Sequence, residues 1–140
     1  MFGLEKYSSS DHFFFTSKGD LKLVCNAPKS GVGVYLVYAL KNGKIELVYV
    51  GCSGKVTQNG DVKMRIGGLY DRLVNGKQFG QQRRKSWKEK VENDNIEALD
   101  IYWYETIDAT HFDIPSFVEG RVLQEHLEIY GRLPVWNVEI

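Results

Sequence analysis

Glu119, Arg72, Arg65 and three tyrosines are the residues of this chain whose types and placing point to chemistry. Glu119 stands in line with Leu123, Leu127 and Tyr130, with Val122 and His126 alongside. That spacing makes one apolar stripe of a helix and puts Glu119 on its core-facing side. A carboxylate there loses hydration unless something compensates. A divalent cation is one compensation. Capping is another: Ser116-Phe117-Val118-Glu119 fits the Ser-x-x-Glu box, which would put Glu119 on a backbone N–H at the helix start. Arg65 and Arg72 offer planar guanidiniums, which bind phosphate and stabilise the negative charge that its oxygens gain during displacement. Either one, taken alone, also reads as a surface arginine. Tyr35, Tyr38 and Tyr49 read as strand aromatics. A tyrosine hydroxyl helps to take a proton from water only if a cation or metal lowers a pKa ordinarily near ~10.

Other chemistries lack their residues. His12, His111 and His126 are scattered without metal-ligand spacing. Cys25 and Cys52 are too few for a disulfide framework or a cysteine zinc site, and no Cys–His pairing is visible around Cys52. No phosphate-cradling loop, dinucleotide fingerprint or Gly-x-Ser-x-Gly motif occurs. No apolar run approaches the ~18 residues that cross a bilayer, and Met1-Phe2-Gly3-Leu4-Glu5-Lys6 lacks the layout of a secretory signal. A cytoplasmic protein without membrane association is the expectation. Lys and Arg total 18 and Asp and Glu total 18, a net charge of zero. The balance is uneven, however. Between Lys55 and Lys90 ten basic residues face three acidic ones, an excess of seven. Such a segment suits a phosphate backbone or, alternatively, a solvated helix surface.

The elements that must position these groups are partly readable. Val32 to Leu40 and Ile45 to Val50 are rich in β-branched and aromatic residues, and Asn42-Gly43 between them is a hairpin signal. A two-residue loop at Asn42-Gly43 pairs Lys41 with Lys44 and sends Tyr35 and Tyr49 to opposite faces. A three-residue loop, Lys41-Asn42-Gly43, sets Tyr35 directly opposite Tyr49, with Gly43 taking the positive φ. A site shared by the two tyrosines therefore predicts the three-residue turn, with Arg72 and Glu119 closing over the same face. Helices are predicted from Leu69 to Val74, from a capping box at Ser86 through Val91, and from Phe117 to about Tyr130, where Gly131 and Pro134 stop the chain. Ile101 to Thr106 reads as a third strand. Phe13-Phe14-Phe15 and Leu21 to Cys25 are strands or buried loops around a turn at Lys18-Gly19-Asp20. Cys52 to Asp61 reads as a loop.

In this order the motifs resemble the GIY-YIG nuclease family. Gly33-Val34-Tyr35 and Tyr49-Val50-Gly51 stand for its two name motifs, with valine replacing isoleucine in both. Leu69-Tyr70-Asp71-Arg72-Leu73 resembles the helix with the essential arginine, which implies Arg72, with Arg65 as the alternative. Val118-Glu119-Gly120-Arg121-Val122-Leu123 resembles the segment bearing the metal-binding glutamate; Glu125 is the alternative ligand. Pro134-Val135-Trp136-Asn137 resembles the Pro-x-x-Asn ending whose asparagine supports the site. The likeness runs from about Gly33 to Asn137. It departs at Gly76, where many members place histidine or tyrosine and where Tyr70 is the substitute. It departs again at Cys52, where some carry lysine; Lys55 or Lys63 is the substitute there.

The resemblance implies an α+β fold, a small three-stranded antiparallel sheet flanked by helices over residues 31–140, with residues 1–30 as an N-terminal extension packed on it. It implies a DNA endonuclease that hydrolyses phosphodiester bonds with one divalent cation, Mg²⁺ or Mn²⁺, on Glu119. Tyr35 or Tyr49 would orient or deprotonate the attacking water, Arg72 would stabilise the phosphate, and Asn137 would support the site. Lys77, Arg83, Arg84, Lys85 and Lys88 would hold DNA phosphates without reading bases. The alternatives are a nucleic-acid-binding module with little catalysis, and a protein-interaction domain in which the tyrosines are core and Glu119 is a cap. Specificity would come from this domain, a homo-oligomer or an accessory protein.

Overall fold

Four antiparallel strands form the centre of an α+β fold in the computed structural model, which describes residues 2–138. In chain order the elements are β1 (Ser10–Phe15), the single turn α1 (Leu21–Val24), β2 (Gly33–Lys41) and β3 (Lys44–Ser53). A small hairpin follows, β4 (Lys55–Val56) with β5 (Val62–Lys63), then α2 (Gly68–Asn75). A second small hairpin, β6 (Lys77–Gln78) with β7 (Gln81–Gln82), leads to α3 (Arg83–Asn93), β8 (Ala98–Glu105) and α4 (Pro115–Tyr130). The sheet order is β1-β8-β2-β3, so β3 is an edge strand. The sheet has four strands, one more than expected, because the segment read as an N-terminal extension supplies β1. Phe13 and Phe15 pair with Ile101 and Leu99 of β8 and point into the core. No helix among the described residues is long and apolar enough to cross a membrane.

Both sheet faces are covered, which explains why β2 and β3 read as continuous apolar runs. On the first face Tyr35, Val37, Ala39, Leu99, Ile101 and Trp103 meet Leu69, Leu73 and Val74 of α2 and Trp87 and Val91 of α3. On the second, Val34, Leu36, Leu47 and Val50 meet Val118, Val122 and Leu123 of α4, with Phe2, Leu4 and Tyr7 closing the layer.

The β2–β3 hairpin turns on two residues, not three. Lys41 pairs with Lys44, and Asn42 (φ 53°) and Gly43 (φ 73°) both take the left-handed conformation of a type I′ turn. The expected three-residue turn is therefore wrong. Its consequence for the tyrosines is nevertheless recovered further along. The register slips between Tyr38↔Leu47 and Val37↔Tyr49, leaving Val48 as an extra residue in β3. Val48 and Tyr49 both face the first layer, whereas Leu47 and Val50 both face the second. Beyond this bulge Tyr49 shares a face with Tyr35, and their ring centroids are 6.2 Å apart.

The boundaries of three helices shift. α3 begins at Arg83 and not at Ser86, which is buried within the helix and makes no cap. α2 spans one residue more than expected at each end. α4 begins at Pro115, whose missing N–H costs nothing at a first helical position. Ile114 is its N-cap, no side-chain cap bond forms, and Gly131 ends it at φ 74°. The Ser116–Glu119 capping box is thus not made. The buried side of α4 is Val118, Val122, Leu123 and His126, while Leu127 and Tyr130 are 41% and 59% exposed. The apolar stripe lies about one position N-terminal of the predicted one.

Candidate active site

Gly51 is where the predicted groups meet. It pairs with Tyr35 across β2–β3, and a Cβ at residue 51 would lie 2.4 Å from Tyr35 Cζ. Only glycine lets the Tyr35 ring lie across β3. Tyr35 is 0% exposed, and its Oη is buried without a hydrogen-bond partner among the described residues. Arg72 arrives from α2. Its Nε is likewise buried and unpaired. The Tyr35 hydroxyl beside it is the strongest influence raising the pKa of this guanidinium, against its desolvation, with Tyr49 and Cys52 adding to the rise.

Glu119 reaches the same place from α4, on the second face of the sheet. The expectation that Arg72 and Glu119 close over one face is therefore not met. They approach from opposite faces around the free edge of β3, where α4 packs against that strand. Burial pushes the Glu119 carboxyl up from its ordinary range, opposed by a hydrogen bond from the Cys52 thiol and by the charge of Arg72. Burial in turn pushes the Cys52 thiol up to about 12, helped by the Glu119 charge and hydrogen bond. That rise favours the thiol over a nucleophilic thiolate at Cys52. Burial also raises the Tyr49 hydroxyl, with Tyr35 adding to the rise and Arg83 and Arg72 opposing it.

Arg83 was expected among the backbone-binding cations, but it is 0% exposed and belongs to the site's foundation. Its guanidinium lies over the rings of Tyr35 (5.1 Å), Tyr49 (5.6 Å) and Trp87 (5.4 Å). It donates to the Arg72 carbonyl (2.7 Å) and to Gln78 Oε1 (3.1 Å). Gly76, the departure from the family pattern, is what admits it. A Cβ there would stand 2.7 Å from Arg83 Nη1 and 2.2 Å from the Arg72 carbonyl oxygen. Gly76 has φ −60°, a value open to any residue, so close approach and not backbone freedom requires the glycine. That combination is the one sequence signal for Arg83, and it becomes legible only with the fold.

Asn137 clasps the edge of β3. Its Nδ2 donates to the Val50 carbonyl (3.0 Å) and its Oδ1 accepts from the Val50 N–H (2.9 Å). Trp136 N–H donates to the Val48 carbonyl (2.8 Å) alongside. The segment thus stands in for a missing neighbour strand beside Tyr49 and Gly51. Asn137→Ala unpairs both groups of a peptide whose residue is 0% exposed. A loss of about 1–3 kcal/mol is expected, read as a lower urea midpoint at unchanged slope.

Of the alternatives, Arg65, Lys55 and Lys63 line the same cleft as Arg72 and Cys52. Arg65 pairs with Asp71, which also accepts from Asn75. Tyr70 donates to the Lys22 carbonyl (2.7 Å) under the Lys29 ammonium, away from Tyr35. Glu125 lies six residues beyond Glu119, about 9 Å further along the helix and turned some 120° from it. Lys77, Arg84, Lys85 and Lys88 are exposed around the second small hairpin and the start of α3. His126 is buried and bonded to the Arg132 carbonyl.

For a cation the site offers Glu119 with Cys52 beside it. Among the described residues there is no cluster of three or more His, Cys, Asp or Glu side chains. Mg²⁺ needs no such cage: it is commonly held by one or two carboxylates, waters and substrate phosphate oxygens. One half-buried carboxylate beside an arginine fits a cation shared with a phosphate. No protein-family model, curated protein or solved structure matches the chain.

Proposed function

We propose that the chain is a metal-dependent DNA endonuclease of the GIY-YIG kind, hydrolysing a phosphodiester bond at Gly51. The observation that carries this reading is the meeting of Arg72, Tyr35, Tyr49 and Glu119, from four separate elements, around a residue without a side chain. Two of their buried polar atoms, Tyr35 Oη and Arg72 Nε, have no partner in hydrogen-bonding geometry among the described residues. Buried polar atoms left unpaired, beside carboxyl, hydroxyl and guanidinium groups shifted from their ordinary pKa values, mark a place built for a ligand.

Arg72 binds the non-bridging phosphate oxygens and holds the charge that builds as water adds to phosphorus and the ester oxygen leaves. Tyr35 Oη, beside the Arg72 guanidinium, accepts from the attacking water and orients it. Tyr49, held protonated by burial, donates to an adjacent oxygen. Arg83 clamps both rings from below. A divalent cation on Glu119 supplies Lewis-acid polarisation of the phosphate.

The test is cleavage of single-stranded, duplex and branched DNA with Mg²⁺ or Mn²⁺. Arg72→Ala is expected to lower the rate by about 10²–10³-fold with the fold retained. The second reading, a binding module, is favoured by the exposed Lys77, Arg84, Lys85 and Lys88. Salt-sensitive binding without cleavage in either metal would select it, and absence of both would reject the nuclease reading.

A further inference from the structure

Beside the candidate site lies a cleft of about 460 Å³, lined by Cys52, Ser53, Lys55, Lys63, Arg65 and Arg72 among others. Lys55 and Lys63 are direct cross-strand partners on the β4–β5 hairpin. Like charges in that arrangement repel and destabilise a hairpin, and this one has only two residues in each strand. Neither lysine forms an ion pair among the described residues. The nearby carboxylate, Asp71, is already engaged by Arg65 and Asn75. Four cations therefore line one cleft, two of them opposed without a counter-ion, and Arg72 also brings a buried unpaired Nε.

We propose that this cleft is a second phosphate subsite, in which the Lys55–Lys63 pair and Arg65 hold the phosphate adjoining the one at Arg72. This rests on the endonuclease reading for the identity of the first phosphate. An anion placed between the two lysines removes their repulsion, so the hairpin is most stable with the strand bound. The substrate is accordingly a nucleic-acid strand that continues past the scissile bond along β4–β5. A mononucleotide diester leaves the second subsite empty and binds weakly.

The experiment uses the full chain carrying Glu119→Gln, without metal, so that binding is read apart from cleavage. Anisotropy of a fluorescein-labelled single-stranded oligonucleotide is followed across a NaCl titration. Lys55→Ala with Lys63→Ala is expected to weaken binding about tenfold or more and to make the log–log salt slope shallower by roughly 1 to 2. Lys41→Ala with Lys44→Ala removes the same charge from another opposed lysine pair, at the β2–β3 turn. It is expected to change both quantities much less. Equal losses in the two double variants would reduce the effect to net charge and overturn the proposal. No binding by the parent chain, or unchanged binding in Lys55→Ala/Lys63→Ala, would overturn it as well. A selective loss in a chain whose wild type cleaves nothing would keep the subsite and discard the endonuclease.

Discussion

The Glu119→Gln variant is expected to melt at a higher temperature than the wild type at neutral pH and to have lost Mg²⁺-dependent cleavage. Burial raises the carboxyl above its unfolded value of 4.5. The folded chain therefore keeps this proton to a higher pH than the unfolded chain does. Stability falls as pH rises between the two pKa values, and above both the penalty is complete. Glutamine has the same shape and no charge to desolvate, so its advantage is full at pH 7 and vanishes well below pH 4.5. Cleavage should drop by about 10²-fold or more, the scale of a lost Lewis acid. Mg²⁺ should raise the wild-type melting temperature and leave that of the variant unchanged, because a ligand stabilises only the state that binds it. Thermal melts at several pH values, with and without Mg²⁺, check all of this. A variant that cleaves normally and melts at or below the wild-type temperature would remove Glu119 from the site.

Arg83→Ala should be among the most damaging single changes to the fold. It empties a volume bounded by Tyr35, Tyr49 and Trp87 and deletes the bonds to the Arg72 carbonyl and Gln78. Truncation of a large buried side chain together with desolvated cation–π contacts gives an expected loss of about 3–5 kcal/mol. Arg83→Met restores most of the volume and removes a buried charge that has no carboxylate partner among the described residues, so it should cost clearly less. Its cleavage should still fall, because both tyrosine rings lose their clamp. Urea unfolding of the two variants separates volume from charge. A loss below about 1 kcal/mol for Arg83→Ala, the range of a surface change, would contradict the buried role.

Parts of this molecule are plain in its sequence. Asn42-Gly43 marks the hairpin because both residues tolerate positive φ. Gly131 marks the end of α4 for the same reason. Ile101 to Glu105 shows its strand by residue type. The bulge at Val48 is invisible. Leu47-Val48-Tyr49-Val50 is buried on both faces, so no alternation of polar and apolar residues records the slip. Arg83 is hidden for a different reason. It opens the run Arg83-Arg84-Lys85, and charge runs usually lie in water. What buries it is a set of rings up to 48 residues away in the chain and a glycine that matters only once α2 and α3 are packed. Glu119 was legible as an anomalous carboxylate, but its rivals were not resolved. The choice between cap and site turned on whether the helix begins at Pro115 or Phe117, and boundaries are the weakest part of any such reading.

The extra residue at Val48 also divides the β2–β3 hairpin into two halves of opposite phase. Toward the turn, paired residue numbers sum to 85, and beyond Val48 they sum to 86. Residues 38–47 can be shortened or lengthened in matched pairs, or given another two-residue turn, without altering which side Tyr49 faces. Loss of the single residue Val48 would leave Tyr38 opposite Leu47 and Val37 opposite Tyr49, so both halves would keep their faces and only the bulge's extra bend and twist would go. The hairpin thus has a variable handle and a fixed working end, and the insertion between them sets the curvature of the edge strand.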